Sequence, residues 1–206
     1  MPDVYRVYPT KVTPSKYISF FVQRRGGNLL FPCVSAHGSI KGSFDALDDM
    51  GGVSLQAVGD MHFAAQYNDE IAARYDIPLR CSDGEYPDIK RKVERVEAFR
   101  FERHELVPGV TVIPTPGHRP HAVSFLVTLR KKRYLFAGDS LYHDGERWQV
   151  FTTKKQRKTM LATLDMLMGE PFDVLLANTS VANPVCSETL DDDSPVALLA
   201  EIRDAV

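Results

Sequence analysis

The sequence predicts an α/β fold in which helices pack on the outer faces of β-sheets. Strand-like segments outnumber helical ones, and the helical segments fall between blocks of strands rather than in one run. The size agrees. A chain of 206 residues, 44% hydrophobic and 25% charged, suits a single domain, 1–206, with a full core, or at most two small ones.

Residues 17–22 and 28–31 are rich in aromatic and aliphatic side chains, and Arg24-Arg25-Gly26-Gly27 between them reads as a hairpin turn. Residues 43–50 read as a short helix with Ser43 as its N-cap, ended by Gly51-Gly52. The run 53–58 reads as a buried strand. Residues 64–75 fit a helix that Pro78 keeps from running on, and 77–81 a short extended segment. Further strands are expected at 94–101, 110–113, 122–129 and 133–136. Met160, Leu161, Leu164, Leu167 and Met168 recur at helical spacing, which makes 155–168 an amphipathic helix. Residues 172–177 read as another strand. Asp191, Asp192 and Asp193 precede Ser194-Pro195, a cap followed by proline at the first helical position. Acids there also suit the positive end of a helix. Leu198, Leu199, Ile202 and Val206 give that last helix its apolar face.

Composition excludes several classes of function. The formal net charge is -2, so no broad basic field exists to hold nucleic acid or an anionic membrane. The basic runs at 130–133 and 154–158 read as solvated faces. No apolar stretch is long enough to span a bilayer, and Met1 to Arg6 does not read as a secretory signal. The three cysteines, Cys33, Cys81 and Cys186, are scattered and form no CxxC pair. They read as small buried residues, and a reducing cytoplasm is the expected setting.

Four side chains of metal-binding type sit where strands end: Asp60, His62, His118 and Asp139. Asp60 and His62 follow the strand 53–58, and in extended chain residues two apart point to the same side. His118 lies in the Pro- and Gly-bearing turn Thr115-Pro116-Gly117-His118-Arg119-Pro120, and Asp139 follows Gly138 after a strand. Imidazoles with carboxylates suit zinc, iron or manganese. Blander readings stand beside this one. His118 and Asp139 can be a turn histidine and a strand-end aspartate satisfying backbone amides. Asp60 can cap the helix that follows it. His121 and His143 can line the cleft as acid or base but read more simply as polar surface residues, and His37 and His104 as structural or exposed.

Three segments resemble the metallo-β-lactamase superfamily. Residues 115–120 resemble its T-P-G-H-T-P segment, whose histidine binds metal. Phe136-Ala137-Gly138-Asp139 resembles its F-x-G-D, whose aspartate bridges two metals. Val58-Gly59-Asp60-Met61-His62-Phe63-Ala64-Ala65 aligns with its T-H-x-H-x-D-H loop. The resemblance, from about residue 17 to 178, implies a four-layer αββα sandwich of two mixed sheets flanked by helices.

The departures cut the implied site down. Asp60 stands in place of the family's first histidine, and Ala64 and Ala65 replace the aspartate and histidine of the second metal position. The aspartate missing at 64 is the one that positions the attacking water. Leu175-Leu176-Ala177-Asn178-Thr179-Ser180 lacks the last histidine, His121 replaces a usual glycine, and Phe31-Pro32-Cys33 replaces I-D-T-G. The expectation is one zinc, iron or manganese ion on His62, His118, Asp139 and Asp60, and no second metal. Three protein ligands leave a water position, as in catalytic zinc sites, whereas four tend to close it. The resemblance implies a mononuclear hydrolase of ester, thioester, lactone or amide bonds, with Asp60, His118 and Asp139 in the chemistry. The alternative is a non-catalytic relative that binds a small molecule or a protein partner. A redox protein with non-haem iron would want the two-metal set. Substrate and oligomeric state are not written in the sequence.

Overall fold

Short runs of aromatic and aliphatic residues become strands because both of their faces are covered. The computed structural model describes residues 3–8, 17–34, 38–179, 187–190 and 194–206. They fall into two units, Met1–Arg100 and Phe101–Val206.

The first unit holds a six-stranded sheet in sequential order: β1 (Val4–Val7), β2 (Ser19–Val22), β3 (Leu29–Phe31), β4 (Leu55–Ala57), β5 (Leu79–Ser82) and β6 (Val96–Phe99). The hairpin strands β1, β2 and β3 pair antiparallel, and β3 to β6 pair in parallel. Parallel neighbours need crossovers. Those are α1 (Phe44–Asp49), α2 (Tyr67–Tyr75) and α3 (Tyr86–Lys90). One apolar cluster gathers Phe21, Leu30, Phe44, Leu47 and Ile71, and another Phe63, Leu79, Cys81, Ile89 and Val96.

Several local expectations change here. Ser43 does precede α1, but its side chain caps nothing, because a 3-10 turn at Lys41–Ser43 leads directly into the helix. The predicted helix 64–75 begins only at Tyr67. Before it, Met61–Phe63 forms a 3-10 turn, and buried Asn68 accepts the Ala65 N–H at 2.9 Å. Asp76, with φ +54°, ends α2 two residues before Pro78.

The second unit contains β7 (His104–Val107), β8 (Val110–Pro114), β9 (Val123–Leu129), β10 (Lys132–Phe136), β11 (Tyr142–His143), β12 (Trp148–Gln149), α4 (Arg157–Leu167), β13 (Val174–Leu176), β14 (Ser187–Thr189) and α5 (Ser194–Ala205). Its main sheet runs β14-β13-β10-β9-β8-β7, while β11 and β12 form a small separate ribbon. Among the described residues of this sheet, only β10 and β13 pair in parallel, bridged by α4. Met160, Leu164 and Leu167 of α4 pack with Leu135, Leu175, Leu199 and Ile202 in one cluster. The acidic cap at 191–193, His37 and Cys186 lie outside the described residues. Cys33 and Cys81 are buried as free thiols, and burial pushes the Cys81 thiol up to about 12. Among the described residues, no helix is long and apolar enough to cross a membrane.

The edge between β10 and β13 carries a pH-sensitive pair. Arg133 reaches Asp173 three times: its amide donates to Oδ2 at 2.7 Å, its Nε to Oδ2 at 3.3 Å and a terminal nitrogen to Oδ1 at 3.0 Å. The guanidinium holds the Asp173 carboxyl below the usual carboxylate range. A depressed folded-state pKa stabilises above the unfolded value of about 3.9, and that stabilisation fades as pH falls through the lower folded value. Asp173→Asn should therefore lose less stability than the wild type between about pH 5 and 2.5, by roughly 1 kcal/mol. Urea unfolding across that range measures it, and equal acid slopes would rule it out.

Candidate metal centre

Each half of the expected ligand set is held by its own local structure. Asp60 follows β4 in extended conformation and is 1% exposed. Its Oδ1 accepts the His62 amide N–H at 2.8 Å, capping the Met61–Phe63 turn, and stands 3.1 Å from His62 Nδ1. The two residues meet through this cap rather than through strand alternation, because residue 62 has already entered the turn. Asp60 thus caps a 3-10 turn, not the helix that follows. The His62 side chain is 46% exposed. Buried Glu85 supports the same turn by accepting the Met61 N–H at 3.1 Å. Ala64, where the resemblance would want a carboxylate, is buried and supplies no ligand atom.

The other half lies on two turns of the second sheet. Gly117 adopts φ +139°, and a Cβ there would stand 2.8 Å from the Met160 Cα. Glycine lets the turn lie against α4 and brings His118 round after it. Thr163 of α4 donates to the Pro116 carbonyl and Thr152 to the Gly117 carbonyl. Three buried hydroxyls tie the turn to its neighbours. Thr115 Oγ1 and Ser124 Oγ lie 3.0 Å apart, Ser140 donates to Thr115 Oγ1 at 3.2 Å, and Ser124 donates to the Ala137 carbonyl at 3.4 Å.

His118 Nδ1 lies 3.1 Å from the Phe151 carbonyl oxygen. A carbonyl only accepts, so Nδ1 carries the hydrogen and the neutral ring bears its lone pair on Nε2. Nε2 stands 3.8 Å from Asp139 Oδ2. That is too long for a hydrogen bond. Ligand atoms about 2.0–2.2 Å from one tetrahedral ion stand roughly 3.4 Å apart, so an inward shift of a few tenths of an ångström would seat an ion there. Asp139 is 9% exposed, and its other oxygen accepts from Thr179 Oγ1 at 2.6 Å.

Asp60 and His62 thus form one pair of ligand type in the first unit, and His118 and Asp139 a second pair in the second unit. Imidazole and carboxylate are donor types suited to zinc, iron or manganese. The sequence reading singled out these four. It missed the Phe151 carbonyl, which leaves no side-chain signal, and Thr179. His143 proves buried rather than superficial, with its Nδ1 accepting the Gly145 N–H and its ring edge-on to Trp148. His121 is exposed against Phe101, and His104 is half-buried, bonded to the Glu102 carbonyl.

No protein-family model matches the chain. Solved structures do. An archaeal metallo-β-lactamase superfamily protein from Sulfolobus tokodaii superposes with TM-score 0.70 at 13% identity, covering 100% of this chain and 86% of that one. A metallo-β-lactamase of Cronobacter sakazakii gives TM-score 0.66 at 18% identity, covering 99% and 93%. The chain therefore has the metallo-β-lactamase fold, the αββα class expected from the sequence. Among curated proteins, the hydroxyacylglutathione hydrolase of Saccharophagus degradans is 27% identical over 116 residues, 56% of this chain and 42% of that protein. The match thus spans less than half the length of that relative.

Proposed function

We propose that this protein is a mononuclear metal-dependent hydrolase acting on a carboxylic ester or thioester of a small molecule. The observation that carries the reading is the His118–Asp139 pair, whose Nε2 and Oδ2 stand 3.8 Å apart, near the spacing of two ligands on one ion. In this reading His62, His118 and Asp139 hold one zinc, iron or manganese ion. Such an ion supplies Lewis acidity toward a carbonyl and a water acidified toward neutral pH. The residues do the rest. The Phe151 carbonyl fixes the His118 tautomer, so that Nε2 is the coordinating nitrogen. Asp60 Oδ1 steers the His62 ring through Nδ1, and its second oxygen serves as fourth ligand or as the base that receives a proton from water. The thioester preference draws on the partial likeness to a hydroxyacylglutathione hydrolase; lactones and amides are the wider class.

Metal titration beside a substrate panel tests this. Protein stripped with chelator should take up one Zn(II), Fe(II) or Mn(II) per chain and then hydrolyse at least one thioester, ester, lactone or amide. Absence of both stoichiometric uptake and turnover would overturn the proposal. Turnover absent with a small molecule still bound would favour a non-catalytic relative. Ala64, Ala65 and Asn178, where the family carries ligands, are what recommend that second reading.

A further inference from the structure

We infer that Thr179 is a positioning residue that anchors Asp139 through Oδ1 and so sets Oδ2 as the oxygen offered to an ion. The inference rests on the metal reading above and adds to it the residue that orients one of the ligands.

The placement follows from strand register. In the parallel pair, Tyr134 aligns with Val174, Leu135 with Leu175 and Phe136 with Leu176, a constant offset of 40 residues. Beyond the strands the two chains keep company, since the Ala137 N–H donates to the Leu176 carbonyl at 2.8 Å. Asp139 and Thr179 are again 40 apart, and their side chains join at 2.6 Å. The ladder that builds the sheet thus delivers a hydroxyl to the carboxylate.

The consequence lies in which oxygen it takes. Thr179 donates to Oδ1, while Oδ2 stands toward His118 Nε2. The two candidate ligands are anchored in the same way. His118 is held through Nδ1 by the Phe151 carbonyl, and Asp139 through Oδ1 by Thr179, so each turns its other atom toward the other residue. A hydroxyl-to-carboxylate bond is charge-assisted and short, hence strong. Turning Asp139 round to offer Oδ1 in place of Oδ2 would cost this bond, at a place where Thr179 is only 7% exposed and water has little access. A merely structural Thr179 would satisfy Oδ1 with no effect on what Oδ2 binds.

Thr179→Val removes the hydroxyl at nearly constant volume, and Thr179→Ser keeps it. Zn(II) titration by calorimetry and visible spectra of the Co(II)-loaded proteins give readouts independent of turnover. Thr179→Val should bind the first ion roughly 10–100-fold more weakly, the range for loss of a supporting contact to a ligand, and its Co(II) bands should shift. Thr179→Ser should stay close to the wild type in both. Wild-type affinity and spectrum in Thr179→Val, or failure of Thr179→Ser to restore them, would overturn the inference while leaving the metal reading intact. Should Thr179→Val not fold, Thr179→Ala takes its place in the same titration and spectra, and wild-type values there refute the role. A wild-type protein that takes up no ion at all would remove both proposals together.

Discussion

His118→Ala should abolish stoichiometric metal uptake while leaving the protein folded. The imidazole is a coordinating group in this account, so its loss should exceed the roughly 10–100-fold weakening caused by removing a supporting contact. The fold should tolerate it. The side chain is 18% exposed, and its hydrogen bond to the Phe151 carbonyl is worth about 1 kcal/mol. Calorimetric titration paired with urea unfolding separates the two effects. Unchanged affinity would show that His118 is no ligand, and a collapse of stability would mark it as a structural turn residue instead.

Gly117→Ala should do the reverse, damaging the scaffold first and the centre as a result. The new Cβ would meet the backbone of Met160, fully buried on α4, at 2.8 Å, at a φ of +139° that side-chain-bearing residues rarely adopt. Backbone strain of about 1–3 kcal/mol adds to an overpacking cost of similar size. A stability loss of roughly 3–5 kcal/mol is expected, measured as a fall in the urea midpoint, with weaker metal binding in whatever remains folded. A variant within 1 kcal/mol of the wild type would mean that α4 yields more easily than its packing implies.

The parts of this architecture legible in the sequence are those with strong periodicity or covered faces. The α4 stripe at Met160, Leu164 and Leu167 and the strands β8, β9 and β10 lie where apolar patterning places them. The parts that escaped are short or half-exposed. β7 reads His-Glu-Leu-Val, and β14 reads Ser-Glu-Thr, so neither offers an apolar run. The ribbon β11 and β12 is two residues a strand, and α3 is a five-residue turn of Tyr-Pro-Asp-Ile-Lys, below the length at which a helical pattern can declare itself. At the centre, all four candidate ligands were visible because their residue types and flanking turns carry the chemistry. Their supports were not. A backbone carbonyl such as that of Phe151 has no letter in the sequence, and Thr179 becomes meaningful only once the β10–β13 register is known.

The hydroxyls of Thr115, Ser124 and Ser140 bear on how such a protein can diverge over generations. They fix the His118 and Asp139 turns through bonds internal to the polypeptide, so loop shape is not borrowed from an ion. Individual ligands can then be exchanged one mutation at a time without dismantling the loops that carry them. A lineage built in this way sheds chemistry piecemeal and keeps its architecture.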